Sequence, residues 1–478
     1  MARIHITPFY KEIDLKDPEE AYERVRGRDT YLLESSEGGE KIARYSFIGF
    51  NPVAKIIGKE GLFILETENK AIKTLEIPKI EPLESIRAIM GQFNLENHAL
   101  ARFFGGLVGY ISYDMIRNYI KLGDKSVDIL NEPDCEFIIA GNNLIFDHIQ
   151  GKSYLVSHTF SKEGDAVNKK KAEEELDKSA EMLLKAIYKP NEKTLITPCQ
   201  HNLSTFSSKL TKSEYEENVR KAKEYIRAGD IFQVVLSQRL ETPFRGDITE
   251  VYKTLKKINP SPYMYCLDLG ERKIVGSSPE MLVQVEGRTV VTYPIAGTRP
   301  RGKTQEEDQQ LEKDMLTDAK ERAEHVMLVD LGRNDVGRVA EYGSVKVTKF
   351  MGVEKYSHVQ HMVSEVTGRL RAGMDEFDAF KSIFPAGTVS GAPKIRAMEI
   401  IEELENTRRG IYAGAVGYFS FNHNMDMAIS IRTIIFEKDK AYIQAGAGIV
   451  ADSDPAAEYQ ESLNKANGLL KALKEAGE

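Results

Sequence analysis

The sequence is poor in cysteine, has no long apolar run and carries no excess of basic charge, and each absence removes a class of protein. Three cysteines in 478 residues (Cys135, Cys199 and Cys266) are too few and too scattered for a disulfide framework, which suits a reducing cytoplasm. None sits in a Gly-x-Cys-x-Gly elbow, so a thiol nucleophile has no support. The stretch from Met1 to Phe9 lacks the apolar core of a signal peptide, and no run of ~18 apolar residues follows, so no membrane is expected as a partner. Sixty-five Lys and Arg against 73 Asp and Glu leave a net charge of −8, the wrong sign for a protein that neutralises phosphates, so nucleic acid is excluded as well. What is present is a globular composition, 41% hydrophobic and 29% charged. At ~150 residues per domain the length predicts two or three domains.

Short strands are expected at Tyr31-Leu32-Leu33, Tyr45 to Ile48 and Leu62 to Leu65, separated by turns at Gly38-Gly39, Asn51-Pro52 and Lys59-Glu60-Gly61. A hairpin follows over 143–156, turned at Gly151-Lys152, then a helix over 163–187 with Leu176, Met182, Leu183 and Leu184 on its period. Loss of periodicity around Lys189-Pro190 and Gln200-His201-Asn202 sets a boundary near 190–210. The division is therefore 1–150, a helical connection over 151–210, and 211–472. In the last part, Ser213-x-x-Glu216 has capping-box spacing for a helix ending at Ala228-Gly229. Strands are expected over 232–240, 263–269, 413–421, 426–436 and 440–446, with helices over 305–330, 392–404 and 455–474. Hairpins rather than strand–helix alternation predict an α+β class with large antiparallel sheets.

Glu321 and Glu324 lie three apart in a helical pattern, and Glu458 and Glu461 repeat that spacing after Asp454-Pro455, an N-cap and first helical residue. Taken alone each pair reads as a solvated helix face; facing one another, the two supply hard oxygen ligands suited to Mg2+. Gly446-Ala447-Gly448-Ile449 lacks a dinucleotide fingerprint and reads either as backbone amides offered to an anion or as a bulge or turn. Gly387 to Lys394 fails the phosphate-loop pattern, with Pro393 reading as the first turn of a helix. His358-x-x-His361 has no third ligand at zinc spacing, so it reads as structural or as a single catalytic histidine.

Several longer stretches carry a resemblance. They are Ala228 to Ser237, Pro294 to Gly302, Glu321 to His325, Leu331 to Asp335, His358 to His361, Gly387 to Lys394 and Gly446 to Ser453. Together, over about 212–470, they resemble the chorismate-utilising enzymes and within them the anthranilate synthase component I family; residues 1–150 resemble its N-terminal domain more weakly, through Leu33-Glu34-Ser35. The resemblance implies a β-sandwich of large antiparallel sheets with surrounding helices. It implies Mg2+ held by Glu324 and Glu461, with Glu458 completing the acidic wall. Glu321 matches a proposed general acid, His361 the histidine of pyruvate elimination, and Thr388 stands with them as catalytic. Gly297, Thr298, Tyr412, Arg432, Gly446, Ala447, Gly448 and Lys465 match substrate positions. Ser35, Pro262, Tyr263 and Met264 match segments that hold tryptophan as a feedback inhibitor.

The implied reaction is amination of chorismate by ammonia and elimination of pyruvate to give anthranilate, in the cytoplasm. With no glutaminase nucleophile in the chain, the ammonia implies a glutamine amidotransferase subunit, in a heterotetramer of two of each. Two positions separate the relatives. Isochorismate and salicylate enzymes carry a water-activating lysine where this chain has Gln233, and aminodeoxychorismate synthases a nucleophilic lysine where it has Ala296. An amide cannot take the proton and a methyl cannot attack, which favours anthranilate. The reading outside catalysis is an amino-acid-sensing subunit with a vestigial site.

Overall fold

The computed structural model describes residues 3–35, 44–96, 101–185, 206–356 and 359–477. The expected Gly38-Gly39 turn, the connection around 189–202 with Cys199, and His358 lie outside them. Among the described residues the fold is α+β, as expected, with eleven α-helices around one hydrogen-bonded network of strands. Every pairing between named strands is antiparallel except that of Ile4–Ile13 with Phe93–Leu95.

Two arms of this network matter for function. One leaves the N-terminal strands through Thr30–Glu34, which pairs with Tyr263–Asp268, and continues through Arg272–Ser278 and Thr433–Glu437 to Lys440–Ile449 and Gln233–Pro243. The other leaves through Gly106–Ile111, which pairs with Ala415–Ser420, and continues through Met425–Ile429, Met281–Glu286 and Thr289–Thr292 to Val359–Arg369 and Ile295–Pro300. Hydrophobic clusters draw on both ends of the chain: Ile4 and Phe137 share one with Phe380 and Met427, and Leu32 and Leu144 share another with Val275 and Leu473.

Several local expectations are corrected. Asn51-Pro52 is no turn: Tyr45–Lys59 runs straight through it, with a register shift between Pro52 and Ala54 and Asn51 at φ 52°. Pairing with Cys135–Asp147 on both sides of the bulge outweighs the local turn preference. The helix Lys212–Ala228 is capped by Thr211 and Glu214 rather than Ser213 and Glu216, the same spacing two residues earlier. Gly229, at φ 84°, ends it as expected. The helix expected over 305–330 is two, Gln305–Thr317 and Ala319–Gly337, divided at Asp318. In Lys169–Lys185 the buried stripe is Ala172, Leu176, Ala180 and Leu183, leaving Met182 and Leu184 half-exposed. The strand expected over 426–436 breaks into Met425–Ile429 and Thr433–Glu437, with Arg432 at φ 51° in the gap. Pro393 precedes the helix Lys394–Leu404 as its N-cap instead of entering its first turn.

Candidate active site

The site lies where the ends of the two arms meet two helices. Asp318 caps the helix Ala319–Gly337 by accepting from the amides of Lys320 (2.9 Å) and Glu321 (3.1 Å), which places Glu321 in the first turn and Glu324 one turn on. Asp454 caps Pro455–Gly477 in the same way through the amide of Ala457 (2.9 Å), setting Glu458 and Glu461.

Contacts tie these helices to the sheet arms. Arg299 donates to Glu321 at 2.9 Å, and a β-carbon placed on Gly297 would lie 3.3 Å from the same carboxylate. Gly297 takes φ 68° at a bulge in Ile295–Pro300, so the backbone conformation favours glycine there, in a space that a β-carbon would make tight. Its neighbour Thr298 stands opposite His361, with Oγ1 3.0 Å from His361 Nδ1. On the other arm the amide of Gln233 donates to Glu324 at 3.3 Å, and a β-carbon on Gly448 would come within 2.6 Å of that amide nitrogen. A β-carbon on Gly446 would lie 3.0 Å from the Tyr412 hydroxyl. Lys465 bridges Glu461 (2.7 Å) and the Gly446 carbonyl (3.1 Å).

The glycine stretch does not follow a strand; it is the end of Lys440–Ile449, with Ser237 opposite Gly446 and Val235 opposite Gly448. Its other neighbour, Thr433–Glu437, stops pairing at Ile443, so the stretch runs on past that partner to where Lys465 reaches the Gly446 carbonyl.

Electrostatics sharpen the picture. Burial pushes the Glu324 carboxyl up, Gln233 pulls it back, and Glu321 raises it further. Glu458 is raised by burial too, opposed by Ser453 and reinforced by Glu461. Lys465 acts on Glu324 and Lys320 on Glu458, so the two E-x-x-E helices lie within electrostatic reach of one another. Among the described residues no three carboxylates or imidazoles converge into a ready-made metal cage. Glu324 and Glu461 nevertheless present hard carboxylate oxygens of the kind that fits Mg2+, which keeps most of its positions for water and substrate.

Arg432 is the opposite case. Its guanidinium is desolvated, which lowers its pKa, and it makes no hydrogen bond or ion pair with any described residue. It acts on both His361 and Tyr412. A half-buried guanidinium with no side-chain partner among the described residues, on a left-handed backbone, can take an anionic partner. His361 is held neutral chiefly by burial and by Arg432, with the Gly297 carbonyl opposing them. That carbonyl accepts from Nδ1 at 3.3 Å, so Nδ1 carries the proton and Nε2 keeps its lone pair.

One acidic residue escaped sequence reasoning. Glu280 shares a cavity with Thr388, Pro294, Leu328 and Ile429, and burial pushes its carboxyl up from 4.5 to about 8. Thr388 Oγ1, buried without a well-formed hydrogen bond of its own, is the polar neighbour that draws it back. The remaining signal in the sequence was Ser278-Pro279-Glu280, a polar turn indistinguishable from any other.

The four residues matched to tryptophan also come together. Ser35, Pro262, Tyr263 and Met264 line one cavity with Arg102 and Asp426, because Met264 pairs with Glu34 across the two strands that carry them. Asp426 accepts from the Tyr263 hydroxyl (3.0 Å) and the Gln284 amide (2.6 Å), and Arg102 stands 3.8 Å away.

Residues 28–471, which carry these elements, match the sequence profile of the chorismate binding enzymes, and the chain belongs to that family. It is 46% identical over 489 residues to anthranilate synthase component 1 of Aquifex aeolicus (strain VF5), covering 99% of this chain and 96% of that protein. It is 47% identical over 481 residues to anthranilate synthase component 1 of Acetivibrio thermocellus, with the same coverage of 99% and 96%. The crystal structure of anthranilate synthase component I from Streptococcus pneumoniae TIGR4 superposes with a TM-score of 0.76 at 40% identity, over 96% of this chain and 98% of that one. Within the family, this enzyme is therefore of the anthranilate synthase component I type. The menaquinone-specific isochorismate synthase MenF from Escherichia coli shares the fold, with a TM-score of 0.73 over 99% of this chain and 95% of that one, at 18% identity.

Proposed function

We propose that the chain is the large subunit of a cytoplasmic, Mg2+-dependent anthranilate synthase that takes ammonia from a glutamine amidotransferase partner, two of each subunit, and is inhibited by tryptophan. The observation that carries the reading is Arg432, without a side-chain partner among the described residues, set against the two E-x-x-E helices, whose four carboxylates have Arg299 and Lys465 as their paired cations. A dianionic substrate with a metal answers both. Mg2+ held by Glu324 and Glu461, beside Glu458, would supply Lewis-acid stabilisation of the substrate's ring carboxylate.

The chain's own residues account for the rest. Arg432, Tyr412, Lys465 and the backbone of Gly446, Ala447 and Gly448 receive the substrate's polar groups. The hydroxyl at C4 leaves as water with a proton from a carboxylic acid while ammonia forms the bond to C2. Two carboxyls compete for that role. Glu321, the match by resemblance, is hydrogen-bonded to Arg299 at 2.9 Å; the Glu280 carboxyl is pushed up to about 8 by burial. We assign the acid to Glu280, with Glu321 as part of the anionic wall and Thr388 as the group beside the acid. His361 Nε2 then removes the proton from C2 as the enolpyruvyl C–O bond breaks, and the ring becomes aromatic. Gln233 and Ala296 argue against isochorismate, salicylate and aminodeoxychorismate as products.

Purified chain given chorismate, Mg2+ and ammonium should form fluorescent anthranilate, faster at higher pH as free ammonia rises, and should not use glutamine until the amidotransferase subunit is added. No turnover with ammonium would leave the sensing-subunit reading; efficient use of glutamine by the single chain would contradict the partner.

Feedback rests on the second cavity. Arg102 and Asp426 are opposite charges for an amino acid's two termini, and Met264 and Pro262 offer an apolar wall for an indole. Three residues beyond Asp426, the Ile429 amide donates to the Glu280 carbonyl at 3.0 Å, so one strand reaches both sites. Ser35→Ala or Met264→Thr should relieve tryptophan inhibition with little loss of uninhibited turnover. Because inhibition requires tryptophan to prefer the less active arrangement, chorismate with Mg2+ must weaken its binding. The chain contains no tryptophan of its own, so fluorescence of the added ligand reads binding directly. Equal tryptophan affinity with and without chorismate removes the allosteric reading.

A further inference from the structure

Arg409 touches several walls of the site from behind. It is 2% exposed. A charge that deep persists where its N–H groups find acceptors. Nε and Nη2 grip Glu405 at 2.9 and 2.6 Å, Nη1 donates to the Val389 carbonyl at 2.7 Å, and Nη2 also reaches the Val235 carbonyl at 2.7 Å. The guanidinium carbon lies 5.5 Å from the centre of the Tyr412 ring. Glu405 extends the network by accepting from the Ser237 amide (2.8 Å) and hydroxyl (2.9 Å). Val389 follows Thr388 in the chain, Val235 stands opposite Gly448, and Ser237 stands opposite Gly446.

A buried ion pair is not in itself a source of stability, since apolar residues of the same volume do as well. What a guanidinium does and an apolar side chain cannot is fix several acceptors in set directions at once. We infer that Arg409, oriented by Glu405, is a positioning residue for the substrate site: it holds Tyr412, the Thr388 turn and the glycine strand at their working separation. It has no contact with substrate, and the inference rests on the chorismate reading above.

Arg409→Lys keeps the charge and loses the fork. In the full chain, assayed with ammonium and Mg2+, it should raise KM for chorismate about 10- to 100-fold, the scale on which misplacement of binding groups acts, with kcat per folded molecule changed far less. Combined with Tyr412→Phe, the two KM effects should fall short of their product, because both act through one contact. A merely structural arginine gives the opposite split: a lower melting temperature and a smaller active fraction with KM unchanged, which overturns the inference. If Arg409→Lys does not fold, the pair Arg409→Met with Glu405→Met removes both charges together and is read in the same way. Calorimetric titration with chorismate and Mg2+ separates the two levels. Wild type that fails to bind overturns the chorismate reading and this inference with it; wild type and variant binding equally well overturn the inference alone.

Discussion

Glu324→Ala and Glu461→Ala should each lower chorismate turnover by about a thousand-fold, equivalent to about 4 kcal/mol of lost transition-state stabilisation, while the fold is retained. On the proposed Mg2+ reading, each variant removes one hard oxygen ligand. Stability should move little and, for Glu324, not downwards. Burial raises that carboxyl, so its ionised form opposes folding above its ordinary pKa, and an alanine removes the cost. Glu461 loses an ion pair with Lys465 in which both side chains are more than a third exposed, a pair worth under about 1 kcal/mol. Circular dichroism and thermal melting check the fold, and wild type in excess EDTA should lose activity alongside the variants. Near-wild-type turnover in both variants, or in EDTA, would remove the metal from the mechanism.

Glu280→Gln should cost about 10²- to 10⁴-fold in kcat/KM, the usual worth of a positioned general acid. The amide keeps the shape and cannot deliver the proton. The pH dependence has a definite sign. A carboxyl raised from 4.5 to about 8 carries its proton through neutral pH and loses it as pH rises through about 8. Wild-type kcat/KM, expressed per free ammonia to cancel the titration of ammonium, should therefore fall above that value, and the falling limb should be absent from Glu280→Gln. The same shift bears on stability: this carboxyl's contribution is fully present below its ordinary value of 4.5 and is lost progressively as pH rises to about 8. A full falling limb in Glu280→Gln, or a similar rate loss confined to Glu321→Gln, would return the acid role to Glu321.

The contrast between those two glutamates shows where sequence reasoning stops. Glu321 and Glu324 were legible because a helix converts a spacing of three into a shared face, and Asp318 and Asp454 cap their helices from positions a few residues away. Glu280 became an acid candidate through Thr388 and Ile429, more than a hundred residues distant, which close the cavity around it. No window of sequence contains that burial. Asn51-Pro52 failed for the same reason: its local preference is a turn, and the long partner Cys135–Asp147 overrules it.

By itself, then, the sequence determined the α+β class, the two acidic pairs, and the glycine stretches that lie beside them. These follow from composition and from periods of a few residues, which the backbone's own geometry enforces. Only the tertiary structure decided that Arg432 has no side-chain partner among the described residues, that burial raises the Glu280 carboxyl, that Arg409 bonds to Glu405 and to the Val389 and Val235 carbonyls, and that Ser35 and Met264 share a cavity. Each of those depends on desolvation or on contact between strands far apart in the chain, and burial is a property of the packed molecule that no single segment possesses.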